Sequence, residues 1–263
     1  MPLVLYNAKQ STCSQRVRYA LHENGLSFSE HLLDLFSGDQ LKPEYLAINP
    51  NGVVPTLIDD GRVIIDSSVI VEYIDEVYAE GASLVPSDPT KRAEMRSWMR
   101  FIDEVPTPAV RVPSYNAAFL PHFQSMSEAE FLALAESKPL RKDFLLAMGR
   151  TGFSEAEMSK AVDRLNKGIL RMAAALDGGG PWLLGEQFTL ADIAIMPVLV
   201  RMEDLGMAHM WADHPRVAEW LRLIKLRPAF EKTFYEGALL SEKYPVLGLP
   251  GIDRPARQTQ GAA

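Results

Sequence analysis

The chain has 263 residues, 47% hydrophobic and 23% charged, with a formal net charge of −7 and one cysteine. That length accommodates two domains, and the acidic balance argues against nucleic acid, whose phosphates select basic faces. A single cysteine excludes an intrachain disulfide and fits a reducing compartment. No leader-like N-terminus and no apolar run of about 18 residues is found, so a cytoplasmic protein without a membrane span is expected.

In chain order, the apolar run 2–6 reads as a buried strand. A helix over 13–24 follows, stopped by Asn24-Gly25. A second strand is expected at 27–34, a short helix or turn at 38–47, and a turn at Ile48-Asn49-Pro50-Asn51-Gly52. Val53 to Ile58 reads as a strand entered through Pro55, and Asp59-Asp60-Gly61 turns it into a partner strand at 62–65. Asp66-Ser67-Ser68 then caps a helix over 68–79. The order βαβ-ββα predicts a parallel crossover extended by an antiparallel hairpin, an α/β unit over 1–80. A linker is expected at 81–90, with no strand pattern beyond it. Helices are predicted at 91–104, 127–149, 155–177, 190–206, 215–226 and 228–236, with 105–122 broken by Pro106, Pro108 and Pro113. Three capping boxes open helices: Ser127 with Glu130, Ser154 with Glu157, and Thr189 with Asp192. The fold class is thus an α/β domain followed by an all-helical domain over 91–240, with a loosely wrapped or disordered tail at 241–263.

The residues that bear chemistry cluster at the start of the first helix: Ser11, Thr12, Cys13 and Ser14. A helix start carries unpaired N–H groups and the positive end of the dipole, and it holds anions, thiolates included. From the residues alone, Ser11 reads first as a cap or turn serine. Cys13 is equally a small half-buried residue, and Ser14 one that satisfies a backbone N–H. The five histidines show no metal-ligand spacing. Gly178-Gly179-Gly180 lacks the Lys-Ser/Thr of a phosphate loop and reads as an interhelical linker, and no Gly-x-Ser-x-Gly elbow is present.

The Ser-x-Cys-x-x-Arg-Val-Arg stretch at 11–18, Asn49-Pro50 with Val54-Pro55, Asp66-Ser67 and Thr189-Leu190-Ala191-Asp192, in this order and spacing, resemble the cytosolic glutathione transferase superfamily. The resemblance covers about 1–236. It implies a thioredoxin-like first domain, glutathione as co-substrate and a homodimer. Segment 11–18 is similar to the zeta class, which includes isomerases. Lys91 to Arg96, with the insertion 127–153 ending Arg150-Thr151-Gly152-Phe153, is similar to the bacterial β-aryl etherases, which cleave lignin-type aryl ethers.

The resemblance also implies roles for individual residues. Ser11 is the expected hydroxyl on the glutathione thiol, with Cys13 and Ser14 as rivals. A cis Val54-Pro55 exposes backbone to pair with the tripeptide. Val53 has no side-chain donor, so Gln40 or Lys42 is expected to supply the missing contact. Asp66 would pair with the γ-glutamyl ammonium and Ser67 with its carboxylate. The second, aromatic substrate is expected between the halves, against Trp98, Phe101, Tyr115, Phe119 and Phe123, with Arg111 steering a carboxylate or phenolate; the bland readings are a core stripe for the aromatics and a solvated surface position for Arg111. The implied activity is thiolate attack on an aromatic electrophile, with β-aryl ether cleavage foremost. A zeta-like cis–trans isomerase and a non-catalytic glutathione or ligand binder are the alternatives.

Overall fold

The computed structural model describes residues 3–79 and 83–254. Residue 2 of the first expected strand, 81–82 of the expected linker and 255–263 of the tail lie outside the described residues. Strand β1 (Leu3–Asn7) leads into α1 (Thr12–Glu23) and then β2 (Phe28–Leu32). After a 3-10 turn (Asp39–Leu41) and the single turn α2 (Pro43–Leu46) come β3 (Thr56–Asp59), β4 (Arg62–Ile65) and α3 (Ser67–Tyr78). The sheet order is β2-β1-β3-β4, with β1 and β2 parallel and both pairs involving β3 antiparallel. This is the expected βαβ-ββα unit of a thioredoxin-like domain.

The helical half contains α4 (Pro89–Glu104), α5 (Pro106–Ser114), α6 (Leu120–Gln124), α7 (Glu128–Glu136), α8 (Lys142–Met148), α9 (Glu155–Asp177), α10 (Leu190–Asp204), α11 (Pro215–Leu226), α12 (Pro228–Thr233) and α13 (Leu240–Lys243). All three expected capping boxes are formed. Pro113 sits inside α5, and the next five residues, Tyr115–Phe119, continue as a π-helical turn, so the proline-rich stretch is kinked as anticipated. The glycine run is a tight turn. Gly180 has φ +79°, and a Cβ there would lie 2.3 Å from the Gly185 carbonyl carbon.

Two helices tie the halves together. Every residue of α1 from Ser14 to Leu21 is buried, because α3 covers one side and α10 and α12 the other. In α10, Leu190 to Met202 are all buried, as expected of a helix that is apolar all round. One continuous apolar core therefore runs from Leu5 and Leu57 of the sheet through Val17 and Ile70 to Ile193 and Trp220.

The structure changes two expectations here. The helix predicted over 127–149 is two helices, because Pro139 has no N–H to donate and Lys138 precedes a proline. The tail expected to be loose from Tyr244 is docked through Arg254. Lys225, nearly fully buried, donates to the Asp253 carbonyl at 2.6 Å and pairs with Glu203, and Arg254 donates to the Phe234 carbonyl at 3.0 Å.

Candidate active site

The loop from Ala8 to Ser11 is fixed before α1 begins. The buried Arg18 guanidinium donates to Asn7 Oδ1 at 2.6 Å, to the Lys9 carbonyl at 2.8 Å and to the Thr233 carbonyl at 3.1 Å. Gln15 donates to the Ala238 carbonyl at 2.9 Å. Arg201, buried in α10, donates to the Gln10 carbonyl and to Ser114 Oγ. Burial pushes its guanidinium down to about 10. Of the two arginines in the 11–18 stretch, Arg18 thus holds the main chain and Arg16 bonds chiefly to the side chains of Ser67, Ser68 and Asp103; neither lines the cavity that opens beside them.

Ser11 is the N-cap of α1, and its Oγ accepts from the Ser14 N–H at 3.3 Å. That bond uses a lone pair and leaves the hydroxyl proton for a second partner. The N–H groups of Thr12 and Cys13, at the first two helical positions, have no acceptor within the helix. Ser11, Thr12 and Cys13 all line a cavity of about 400 Å³ between the two halves. Ser14 is fully buried behind them, and its Oγ accepts from the Ala8 N–H at 3.3 Å. Of the three candidates for the thiol, two face the cavity and one faces the core.

Across the cavity from α1, the segment Asn51 to Val54 forms an edge. The Val54-Pro55 bond is cis. Val53 is held by its carbonyl, which accepts from Tyr45 Oη at 2.7 Å and Asn49 Nδ2 at 2.9 Å. Gln40 is buried; its Nε2 donates to the Leu35 carbonyl at 3.2 Å, while Oε1 has no partner among the described residues. Gln40 lines the cavity and Lys42 does not. The Lys42 ammonium is solvent-exposed on Asp39 at 2.7 Å, beside a smaller recess with Tyr6 and Tyr45.

Asp66 caps α3 with φ +73°, a region L-residues avoid, and its Oδ1 accepts from the Ser68 N–H at 2.9 Å and the Val69 N–H at 3.3 Å. Ser67 Oγ accepts from Arg16 at 3.2 Å. Asp66, Ser67 and Pro55 lie outside the lining of the cavity.

The opposite wall comes from the helical half. Arg111, Tyr115, Phe119 and Phe123 line it, joined by Phe36 from the α/β half, whose ring meets Phe119 at 5.1 Å between centroids. Trp98 and Phe101 do not line it, contrary to expectation. Trp98 is buried on α4, and the two rings sit under the Arg171 guanidinium at 4.4 and 4.3 Å. Periodicity marked the buried face of α4 but not its neighbour, which is α10.

Sequence reasoning missed Lys138, Leu140 and Arg141, which enter the cavity from the break between α7 and α8, and Tyr244, which enters from the tail. The Lys138-Pro139 pair was the available signal for the former. Burial depresses the Lys138 ammonium and the Arg141 guanidinium below their ordinary values, and for Arg141 the Arg111 charge adds to the effect. Burial raises the Tyr115 phenol, with Arg141 and Arg111 opposing the rise. Among the described residues no group of three metal-ligating side chains exists, and no described helix is long and apolar enough to cross a membrane.

Comparison with known proteins assigns this architecture. Residues 10–77 match the glutathione S-transferase N-terminal domain and residues 155–223 the corresponding C-terminal domain. The chain is 30% identical over 243 residues to Protein LigF of Sphingobium sp., covering 89% of this chain and 93% of that one. The crystal structure of the β-etherase LigF superposes with a TM-score of 0.81 at 29% identity, covering 89% of this chain and 99% of the other. Tetrachloro-p-hydroquinone reductive dehalogenase of Sphingobium chlorophenolicum is 26% identical over 240 residues, covering 88% and 95%. The chain belongs to the glutathione S-transferase family, and glutathione is its co-substrate.

Proposed function

We infer that this transferase ionises the glutathione thiol at the start of α1 and directs it at an aromatic electrophile held against Tyr115 and Phe119. The observation that supports this reading is the Ser11 hydroxyl, which caps α1 through a lone pair, lines the cavity and has its proton left to donate; we assign that proton to the sulfur. An ordinary thiol titrates near about 8.5, and two units of depression correspond to about 2.7 kcal/mol. A helix start contributes about 0.3–1 kcal/mol and a hydrogen bond to a charged acceptor about 1.5–3 kcal/mol. Together they suffice without a separate base. Cys13 shares the cavity and is the rival for this contact; Ser14, turned to the core, is not.

The rest of the tripeptide has matching partners. The Val54 edge takes the peptide backbone. Gln40, with its unpaired Oε1, serves the cysteinyl-glycine end, while Lys42 does not face the cavity. Asp66 and Ser67 serve the γ-glutamyl end, Asp66 in a conformation that functional residues adopt at a local energetic cost. We assign β-aryl ether cleavage as the specific reaction, supported by the similarity to LigF. The sulfur bonds to the carbon bearing the ether oxygen, the C–O bond breaks, and its electron pair leaves on a phenolate that takes a proton from water. The products are a thioether and a phenol. A cytoplasmic homodimer is part of the same reading.

A fluorogenic aryl ether tests this. Release of one phenol per glutathione consumed supports displacement. Phenol release independent of glutathione sinks the reading, and return of glutathione with isomerised substrate converts it to an isomerase.

A further inference from the structure

The charge of the cavity is opposite to that of the molecule. The chain carries a formal net charge of −7, yet six Lys or Arg side chains and two Asp line this one space. Both aspartates are already engaged. Asp34 Oδ1 accepts from the Phe36 N–H at 2.9 Å and the Ser37 N–H at 3.3 Å, and Asp39 accepts from the Asp34 N–H and pairs with Lys42. None of the six cations forms an ion pair with a described residue, although surface arginines of this chain readily do, as Arg96 does with Glu72 and Arg222 with Glu219. Lys9 and Arg201 are spent on the Glu236 and Gln10 carbonyls, whereas Arg111, Lys138 and Arg141 line the wall that faces the second substrate.

These three arrive from separate elements: Arg111 from α5, Lys138 and Arg141 from the break between α7 and α8. They share one electrostatic neighbourhood. The Arg111 charge acts on Arg141, both act on the Tyr115 phenol, and Cys13 at the start of α1 acts on Arg141. Partly desolvated like charges facing one cavity are unfavourable unless an anion joins them. The anion is not explained by glutathione alone. In the reading above the thiolate is assigned to the start of α1, and the tripeptide's other groups to Gln40, Val54 and Asp66.

We propose that Arg111, Lys138 and Arg141 form a subsite for a carboxylate on the second substrate, so that this enzyme selects an aromatic electrophile bearing an acid group over its neutral counterpart. The inference rests on the reading of the cavity as the place where electrophile meets glutathione. Two guanidiniums and an ammonium suit a carboxylate, which accepts planar bidentate pairs, better than a single transient phenolate oxygen. Tyr115 and Phe119, packed edge to face at 5.0 Å, provide an apolar aromatic wall for the ring that carries it.

The test uses two glutathione conjugates as probes, S-(4-carboxybenzyl)glutathione and S-benzylglutathione, with glutathione itself as reference, each titrated by calorimetry into the whole protein. The expected result is a preference of about tenfold or more for the carboxybenzyl conjugate that shrinks with added salt. In Arg111→Gln, Arg141→Gln and Lys138→Gln the ratio of the two affinities falls towards one, and Arg111→Lys restores part of it. Equal binding of the two conjugates by the wild type overturns the subsite, as does a preference that survives in all three variants. If glutathione and both conjugates fail to bind, the glutathione-site reading falls first. Because both probes carry the same tripeptide, an effect of these cations on glutathione alone leaves the ratio unmoved and counts against the proposal.

Discussion

The Arg16 guanidinium, 2% exposed, lies 2.7 Å from the Asp103 carboxylate of α4. The same Nη1 donates to Ser68 Oγ at 2.7 Å and to Ser67 Oγ at 3.2 Å, and Nη2 donates to the Ala194 carbonyl at 3.2 Å. Ser68 in turn donates to Asp103. One side chain of α1 therefore joins the start of α3 to the helical half. It also fixes the Ser67 hydroxyl, assigned to the γ-glutamyl end of glutathione.

Removing Asp103 strands that buried charge. Loss of one partner of a fully buried pair is worth about 3–5 kcal/mol, and Asp103 is 35% exposed, so Asp103→Ala is expected to destabilise by about 2 kcal/mol. Arg16, no longer anchored on Asp103, holds the Ser67 hydroxyl less firmly, and glutathione affinity is expected to fall by about tenfold. Urea unfolding and calorimetry read the two effects separately. Normal stability with normal affinity contradicts the coupling.

Ser11 and Ser14 make opposite predictions although they are three residues apart. Ser11→Ala removes an N-cap, at about 1 kcal/mol, and raises the pKa of the bound glutathione thiol by about one unit or more, read by ultraviolet thiolate absorbance. Ser14→Ala leaves that pKa in place and affects stability alone, because its Oγ serves the Ala8 N–H in the core. A thiol pKa raised by Cys13→Ser and untouched by Ser11→Ala transfers the role to Cys13.

Much of this was legible because its causes are local. Ser11 as a cap, Asn24-Gly25 as a stop, the Asp60-Gly61 hairpin and the three capping boxes are each decided within a few residues. What the chain packs against is not local. Trp98 obeys the periodicity of α4, yet its neighbours are Phe101 and Arg171 and not the cavity. Arg16 and Arg18 are buried because α3, α10 and α12 surround α1, which no window of sequence shows. The left-handed Asp66 has no sequence mark either, while the break at Pro139 did have one. The tail composition reads as loose, but the nearly buried Lys225 and Glu203 pair captures Asp253.

Asp192 carries the folding role expected of it. Its carboxylate accepts from the Leu183 N–H at 3.0 Å, Trp220 Nε1 at 2.8 Å and the Thr189 N–H at 3.0 Å, all in the core. Asp192→Ala leaves these donors buried without acceptors, at about 3 kcal/mol or more. Thr189→Ala removes only a cap, at about 1 kcal/mol. Urea unfolding that ranks the two equally contradicts this division.

Asp59 gives the pH dependence. At the end of β3 its Oδ2 accepts from Tyr73 Oη at 2.5 Å and Tyr78 Oη at 2.7 Å. These hydrogen bonds lower the carboxyl below its usual range and push the Tyr78 phenol up to about 12. The folded carboxyl is the stronger acid, so its contribution is present above the ordinary value of about 3.9 and is lost as the pH falls through the lower folded value. Tyr73→Phe with Tyr78→Phe abolishes that contribution and moves acid unfolding to higher pH. An unchanged acid midpoint in the double variant contradicts the assignment.

The insertion stands on a core of its own. Phe123, Phe131, Ala135, Leu145, Met148 and Phe153 form a cluster separate from the main one, with Tyr115 and Phe119 packed against it. Phe131→Ala removes a fully buried ring, a change worth about 3–5 kcal/mol where it is felt. Because the cluster is separate, the effect is local unfolding of α7 and α8 at reduced cost to the rest. Hydrogen exchange is expected to quicken over 128–148 and to stay slow in α1 and α10. The KM for the second substrate rises while that for glutathione holds, since Lys138 and Arg141 lose their support and Ser11 does not. Exchange that quickens uniformly, or a glutathione KM that rises equally, shows instead that the wall and the main core unfold as one unit.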